Sequence, residues 1–304
     1  MTAKRANSVL RDKLQHLECY VLQQHKIQEA LKEILAATAN RRGEKFFRTL
    51  VTQMARVLEV RYVYVAELLN QETARTMAMW NGDAIGTNMT YALAGTPCSE
   101  VIARGFSIHP DNVQQNFPED YRLLELGAVS YAGTTLLDTH GKPIGILAIL
   151  DDKPLDQADF AEYLLSVFAI QAASELFSMR AEKALRLSKE EWESSFNAIE
   201  DMVTIHDRDM RILRANSATA AYIGVGVENL VGRYCYEIFQ GKSSACDNCP
   251  EVMTLRDGQH HTGIVHHEHS GRVFLVSTSA ILDEQGEVKN IVHAAKDITV
   301  QKEL

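Results

Sequence analysis

DQADFAEYLLSVFAIQAASELFSMRAEKALRLSKEEWESSFNAI, residues 156–199, contains neither Gly nor Pro. A run of that length without a stop signal exceeds the helices of ordinary globular domains and predicts one long helix joining two folded parts. Its first half is apolar and its second half is charged and Ala-rich, so it reads as a stiff connector.

Upstream, KFFRTLVTQMARVLEV (45–60) has helical periodicity and RYVYVAELL (61–69) alternates as a strand does. TARTMAMW (73–80) reads as a second strand, and TTLLDTHGKPIGILAILDD (134–152) as a hairpin pair around Gly141. Residues 7–38 place Leu10, Leu14, Leu17, Val21, Gln24, Gln28, Leu31 and Leu35 at alternating spacings of four and three, the seam of a coiled coil. Such a helix either pairs with a second copy or lies on its own domain. Gln24 and Gln28 favour pairing, because polar seam residues are tolerated better between two helices than in a monomer core.

Downstream, DMVTIHDRDMRILRANSA (201–218) reads as a short hairpin, followed by helical stretches over 216–240. QHHTGIVHH (259–267), RVFLVSTSAIL (272–282) and EVKNIVHAAKDI (287–298) supply three more strands, separated by turns at Ser270-Gly271 and Glu284-Gln285-Gly286. Helices between the second and third of five strands predict an antiparallel sheet with helices on one face.

The whole chain has 304 residues, 46% of them hydrophobic, and a mean hydropathy of −0.16, which excludes disordered and collagen-like classes. The longest apolar stretches, such as IGILAIL (144–150), fall short of a membrane span, and the first 30 residues do not read as a signal peptide. The expected location is the cytoplasm. Five cysteines form neither a disulfide scaffold nor a zinc array. A formal charge of −9, without long basic runs, argues against direct nucleic-acid binding.

MTYALAGTPCSEVIARG (89–105) and FPEDYRLLELGAVSYAGTTLLDTHGKPIGILAILDDKPLD (117–156) resemble the GAF domains of bacterial sensory proteins. The resemblance rests on Gly95-Thr96-Pro97-Cys98 opening a helix, Phe117-Pro118-Glu119-Asp120 before another, and Gly145 inside the last strand. Residues 190–304 resemble a PAS domain of a C-x-x-C-P-containing variety. The signs are EWESSFNAIEDMV, the turn His206-Asp207-Arg208-Asp209, Arg214-Ala215-Asn216, Val231-Gly232-Arg233, and the exit Asp297-Ile298-Thr299 followed by Gln301-Lys302.

The resemblance implies an α+β fold. A GAF-like antiparallel sheet domain (44–177) and a PAS-like five-stranded antiparallel sheet domain (200–304) are joined by a connector helix (178–199) and preceded by a coiled-coil helix (1–43). It also implies a dimeric signal-input module of a bacterial signal-transduction protein such as a sensor histidine kinase, relaying ligand or redox state to an output domain or partner signalling protein. No P-loop, ATP lid, GGDEF or EAL phrase, or basic helix-turn-helix is readable, so no catalysis is expected of this chain. His206-Asp207 lacks the further ligands of a metal phosphohydrolase and reads as a turn.

CYEIFQGKSSACDNCPEV (235–252) brings reactive residue types together: Cys235, Cys246 and Cys249. Three functional readings stand beside a structural clasp of reduced thiols. As a redox pair, Cys246 and Cys249 sit by Pro250, and a helix N-terminus there lowers a thiol pKa. As a zinc site, three thiolates and an imidazole complete a tetrahedron. As a haem site, Cys249-Pro250 resembles the Cys-Pro haem-regulatory signature. Of the nearby histidines, His261, His267 and His269 share one strand face and His260 and His266 the other, which leaves His261 and His267 as weak metal candidates. The alternative function is accordingly a metal- or haem-binding sensor centred on 235–269. In the GAF-like part, Trp80, Tyr91 and Cys98 are the candidates for lining a ligand cavity, with Cys98 also fitting a buried packing role.

Overall fold

The computed structural model describes residues 21, 24–267 and 270–302. The chain divides into two compact units, Met1–Ala184 and Leu185–Leu304.

In the first unit, a helix over 24–38 (α1) and α2 (Glu44–Leu58) precede a six-stranded sheet. Its strands are β1 (Tyr62–Leu68), β2 (Thr73–Asn81), β3 (Thr90–Ala92), β4 (Phe106–His109), β5 (Ser130–Leu137) and β6 (Pro143–Asp151). They lie antiparallel in the order β3-β2-β1-β6-β5-β4. Between β3 and β5 run α3 (Pro97–Arg104), α4 (Val113–Asn116) and α5 (Tyr121–Glu125), and after β6 comes α6 (Ala158–Ala198). The short β3 and β4 carry no alternation long enough to read from sequence.

Strand alternation gives this sheet two apolar faces. Val63 and Val65 of β1, with Leu147 and Ile149 of β6, pack under α1, α2 and the first half of α6. Tyr62, Tyr64 and Ala66, with Ile146, Ala148 and Leu150, face Cys98 and Val101 of α3 and Leu123 of α5. Gly145 is needed where the layers meet, since a Cβ there would lie 2.6 Å from the Ala66 carbonyl oxygen and 2.9 Å from Leu176.

Over its described residues, α1 lies on its own domain. Ile27, Ala30, Leu31 and Ile34 pack on the core, whereas the seam residues Gln24, Gln28 and Leu35 are exposed. The buried face is thus the one beside the anticipated seam, because Ile34 and Ala30 complete the apolar layer over α2. Leu10, Leu14 and Leu17 lie outside the described residues.

Helix α6 is 41 residues long. By length and composition alone it passes for a membrane span, yet 56% of that apolar window is buried, and its inward residues Leu164, Phe168, Ala172 and Leu176 belong to the sheet's core. Arg180 fastens it by donating to the carbonyl oxygens of Leu68 (2.5 Å) and Ile144 (3.1 Å). Residues 181–192 are exposed on every side.

The second unit has β7 (Met202–His206), β8 (Ile212–Ala215), β9 (His261–His267), β10 (Arg272–Leu282) and β11 (Val288–Asp297), in the order β8-β7-β11-β10-β9. Between β8 and β9 lie α7 (Ser217–Ile223), a 3₁₀ turn (Val227–Asn229), α8 (Cys235–Gln240) and α9 (Pro250–Asp257). After β11 comes α10 (Thr299–Lys302). Buried Asn216 ties this unit together. Its amide oxygen caps α7 by accepting from Thr219 N–H and also accepts from Val203 N–H, both at 3.0 Å, while its NH₂ donates to the carbonyls of Ile199 and Asp201. At the exit, the Asp297 carboxylate accepts from the Thr299 backbone N–H at 2.9 Å and pairs with Arg272 at 3.1 Å.

Candidate functional site

In the first unit, the face of the sheet away from α6 encloses a cavity of about 130 Å³. Its apolar lining includes Met79, Leu123 and Leu150, and its polar tips converge on one sulfur. The Tyr64 hydroxyl lies 3.0 Å from Cys98 Sγ, and those of Tyr91 and Tyr131 lie at 3.6 Å. Burial, reinforced by Cys98, raises all three phenols well above their ordinary pKa, so they remain neutral. Arg122 and Asp120 also line the cavity, with the guanidinium 5.2 Å from the Tyr91 ring centre. An apolar cavity of about 150 Å³ takes benzene. This one suits a compact molecule of about one ring, with hydrogen-bonding groups at its thiol end.

Tyr91 and Cys98 therefore lie where a cavity lining was expected, and Tyr64 and Tyr131 complete the group. Trp80 does not. It packs with the cluster under α2 and α6, on the other side of the sheet. The reason is a β-bulge: Val65 pairs with Ala78 and Ala66 with Thr76, leaving Met77 as the extra residue. Without the bulge, Trp80 would share the face of Ala74 and Thr76; with it, Met79 takes the cavity side.

In the second unit, the core is polar at its centre. His206 ends β7, Cys235 opens α8 and Glu251 lies in the first turn of α9. His206 Nδ1 is 2.8 Å from Glu251 Oε1, with both side chains fully buried, and the Cys235 thiol donates to Glu251 Oε2 at 3.6 Å. Burial, then the Glu251 carboxylate, pushes the Cys235 thiol up. His206 Nε2 is buried with no hydrogen-bond partner among the described residues. The His293 ring lies 5.3 Å from that of His206 and stacks on Phe239. The residue read as the start of a turn is thus the hub of the core, and Asp207 alone makes the turn, accepting from the backbone N–H groups of Asp209 and Arg211.

Cys249 donates its backbone N–H to the Cys246 carbonyl at 3.3 Å, both side chains belong to one small cluster, and their mutual influence divides their chemistry. The neighbouring Cys249 thiol, followed by weaker aids, lowers Cys246 to about 6; the neighbouring Cys246 and burial push Cys249 up. One thiolate and one buried thiol result, instead of two equally reactive sulfurs. Cys249 caps α9, with Pro250 in the first turn. His261 and His267 face inward on β9 but do not converge. His261 bonds the Asp257 carboxylate at 2.9 Å, while buried His267 bonds the Tyr222 hydroxyl at 3.2 Å and packs on Phe274. His269 lies outside the described residues.

Residues 42–176 match the family model of the GAF domain, and residues 196–303 match that of the PAS fold. The chain is a GAF domain followed by a PAS domain. Both are sensory, non-catalytic signal-input modules. Among solved structures, the GAF domain is similar to that of a phosphoenolpyruvate-protein phosphotransferase from Acinetobacter: 17% identity, 54% of this chain and 98% of that one covered, TM-score 0.41. It is also similar to the nlh2 GAF domain of A. aeolicus in an inactive state, at 16% identity over 52% and 99% of the two chains, TM-score 0.42. The PAS domain is similar to that of an HTR-like protein from Haloarcula marismortui, at 23% identity over 40% and 99%, TM-score 0.31. No curated protein matches the sequence.

Proposed function

We propose that this chain is the cytoplasmic signal-input module of a bacterial signal-transduction protein. A compact ligand in the GAF cavity, or the redox state of Cys246 and Cys249 in the PAS domain, biases the packing of a dimeric α6, which relays that bias to an output domain or partner signalling protein. The reading rests on α6. It is part of the GAF core through Leu176, and its outward Tyr163, Ile170 and Phe177 recur every seventh residue, with Ile170 74% exposed. Seventh-residue recurrence of large apolar groups is the spacing of a helix seam, and a second copy of the same helix matches it in register. Small exposed residues, Ser166 and Ser174, lie between them and permit close approach.

Light scattering on the full chain tests this. A dimer is expected, with Ile170→Glu/Phe177→Glu reduced to a monomer of unchanged helix content. A full chain that is monomeric at micromolar concentration contradicts the reading.

A further inference from the structure

The GAF–PAS relay leaves unexplained why the PAS core buries a carboxylate, an imidazole and a thiol against one another. We propose that His206, Cys235 and Glu251 are the three protein ligands of a zinc-class divalent transition-metal ion. One donor atom from each residue lies within 4.8 Å of the others. Donors around a tetrahedral zinc stand roughly 3.3–3.8 Å apart, given metal bonds of about 2.0–2.3 Å. Cys235 Sγ lies 3.6 Å from Glu251 Oε2 and His206 Nδ1 2.8 Å from Glu251 Oε1, so one carboxylate oxygen serves both neighbours once the carboxylate turns and the His206 pair opens.

Charge favours the same assignment. A carboxylate with no exposed surface requires a counter-charge, and the side-chain partners of Glu251 are an imidazole and a weak thiol donor. A divalent cation held by Glu251, the Cys235 thiolate and neutral His206 gives a site of net zero charge. Binding releases the Cys235 thiol proton to solvent and seats the His206 Nδ1 lone pair on the metal, with the ring proton on Nε2. In the metal-free core the Glu251 carboxylate holds the ring proton on Nδ1, so binding also shifts that proton to Nε2, which has no competing partner among the described residues. A mixed sulfur, nitrogen and oxygen set suits borderline cations and not Mg²⁺ or Ca²⁺.

Three protein ligands leave one position open. Cys235 and Glu251 also line a cavity of about 30 Å³, together with Cys246, Cys249, His267 and His293. That is the volume share of about one water, so the fourth ligand is a water or another molecule of that size. The ligands are not those of a C-x-x-C centre: Cys246 and Cys249 precede α9 and line the same cavity, but the donor triad is His206 of β7, Cys235 of α8 and Glu251 of α9.

The test uses the full chain, reduced and stripped with chelator, then titrated with Co²⁺ and back-titrated with Zn²⁺. Expected is one equivalent of Co²⁺ with tetrahedral d–d bands and a thiolate charge-transfer band, displaced by Zn²⁺. Cys235→Ser should lose the charge-transfer band, and His206→Gln and Glu251→Gln should each weaken binding at least about 100-fold, whereas Cys246→Ser/Cys249→Ser should bind as the parent does. X-ray absorption on the unmutated Zn²⁺ form provides a readout independent of variant folding, and one sulfur per zinc is expected. No binding by the unmutated chain, two or more sulfurs per zinc, or a band that survives Cys235→Ser and disappears in the double variant would overturn the assignment.

Discussion

The GAF and PAS domains share a layered α+β plan but fill it differently. The GAF sheet is apolar on both faces, with three phenols around a thiol in its cavity, and its buried carboxylates Glu67, Asp151 and Glu175 are each paired with a cation. Among the described residues the PAS domain has smaller apolar clusters, and buried against them sit His206, Glu251 and Cys235, with His293 beside His206. The first domain is held chiefly by apolar burial; the second adds a buried cluster of titratable groups to its apolar packing, so its folding should respond more to pH.

That contrast breaks most readily in the GAF core. Fully buried Phe168 packs α6 on the sheet, and Phe168→Ala should cost about 3–5 kcal/mol. Each unit carries one tryptophan, Trp80 in the GAF sheet and Trp192 on the distal part of α6, where Arg214 of β8 lies 4.8 Å over its ring, so urea unfolding of single-tryptophan chains resolves the two. The Trp80 transition alone should move. A matching shift at Trp192 would mean that the domains unfold as one body and that their cores cannot be contrasted.

Next in size is Glu251→Gln in chelator. It removes the charge that His206 and Cys235 face and should cost the Trp192 transition about 1–3 kcal/mol. A change at Trp80 instead would remove Glu251 from its central place in the PAS core.

A smaller effect separates the domains by pH. Burial, then His206, holds the His293 imidazole down at about 4 from an ordinary 6.5. Between those values the folded domain binds fewer protons than the unfolded chain. The contribution is therefore complete above about pH 6.5 and lost as pH falls through 4. His293 is half-buried, so about 1–2 kcal/mol is expected in place of the full shift. His293→Leu should flatten that part of the metal-free PAS pH profile; an unchanged slope would assign it to other groups.

The last comparison changes labelling rate and leaves stability alone. Cys246, held at about 6 chiefly by the neighbouring Cys249 thiol, should alkylate with a half-maximal rate near that pH and lose the advantage in Cys249→Ala. Cys98, 3% exposed, and Cys235 should label only on unfolding. Mass spectrometry showing Cys98 first would reverse the assignment of a closed thiol to GAF and an open one to PAS.

What the sequence made legible was local. The hairpin at Gly141, the five PAS strands, and the Pro-initiated α3 and α9 each depend on neighbours within a few positions. The polar PAS core does not. His206 and Glu251 are 45 residues apart, and a His before Asp-Arg-Asp has the composition of a turn. Trp80 failed differently: one extra residue at Met77 reverses every side chain beyond it, and no residue type marks a bulge of that kind. The α1 periodicity was legible, but several apolar residues lie on both of two adjacent faces, and packing over α2 decided between them.

The central claim is that α6 couples the two sensory domains to an output. Inserting one and then two residues after Ala184, with the module fused to a reporter kinase, turns the distal helix by about 100° per residue. The account predicts that kinase output changes with each insertion in a phase-dependent way, and that Pro at the same place removes the dependence on the GAF domain. Unchanged output from both insertions and the Pro variant would contradict it.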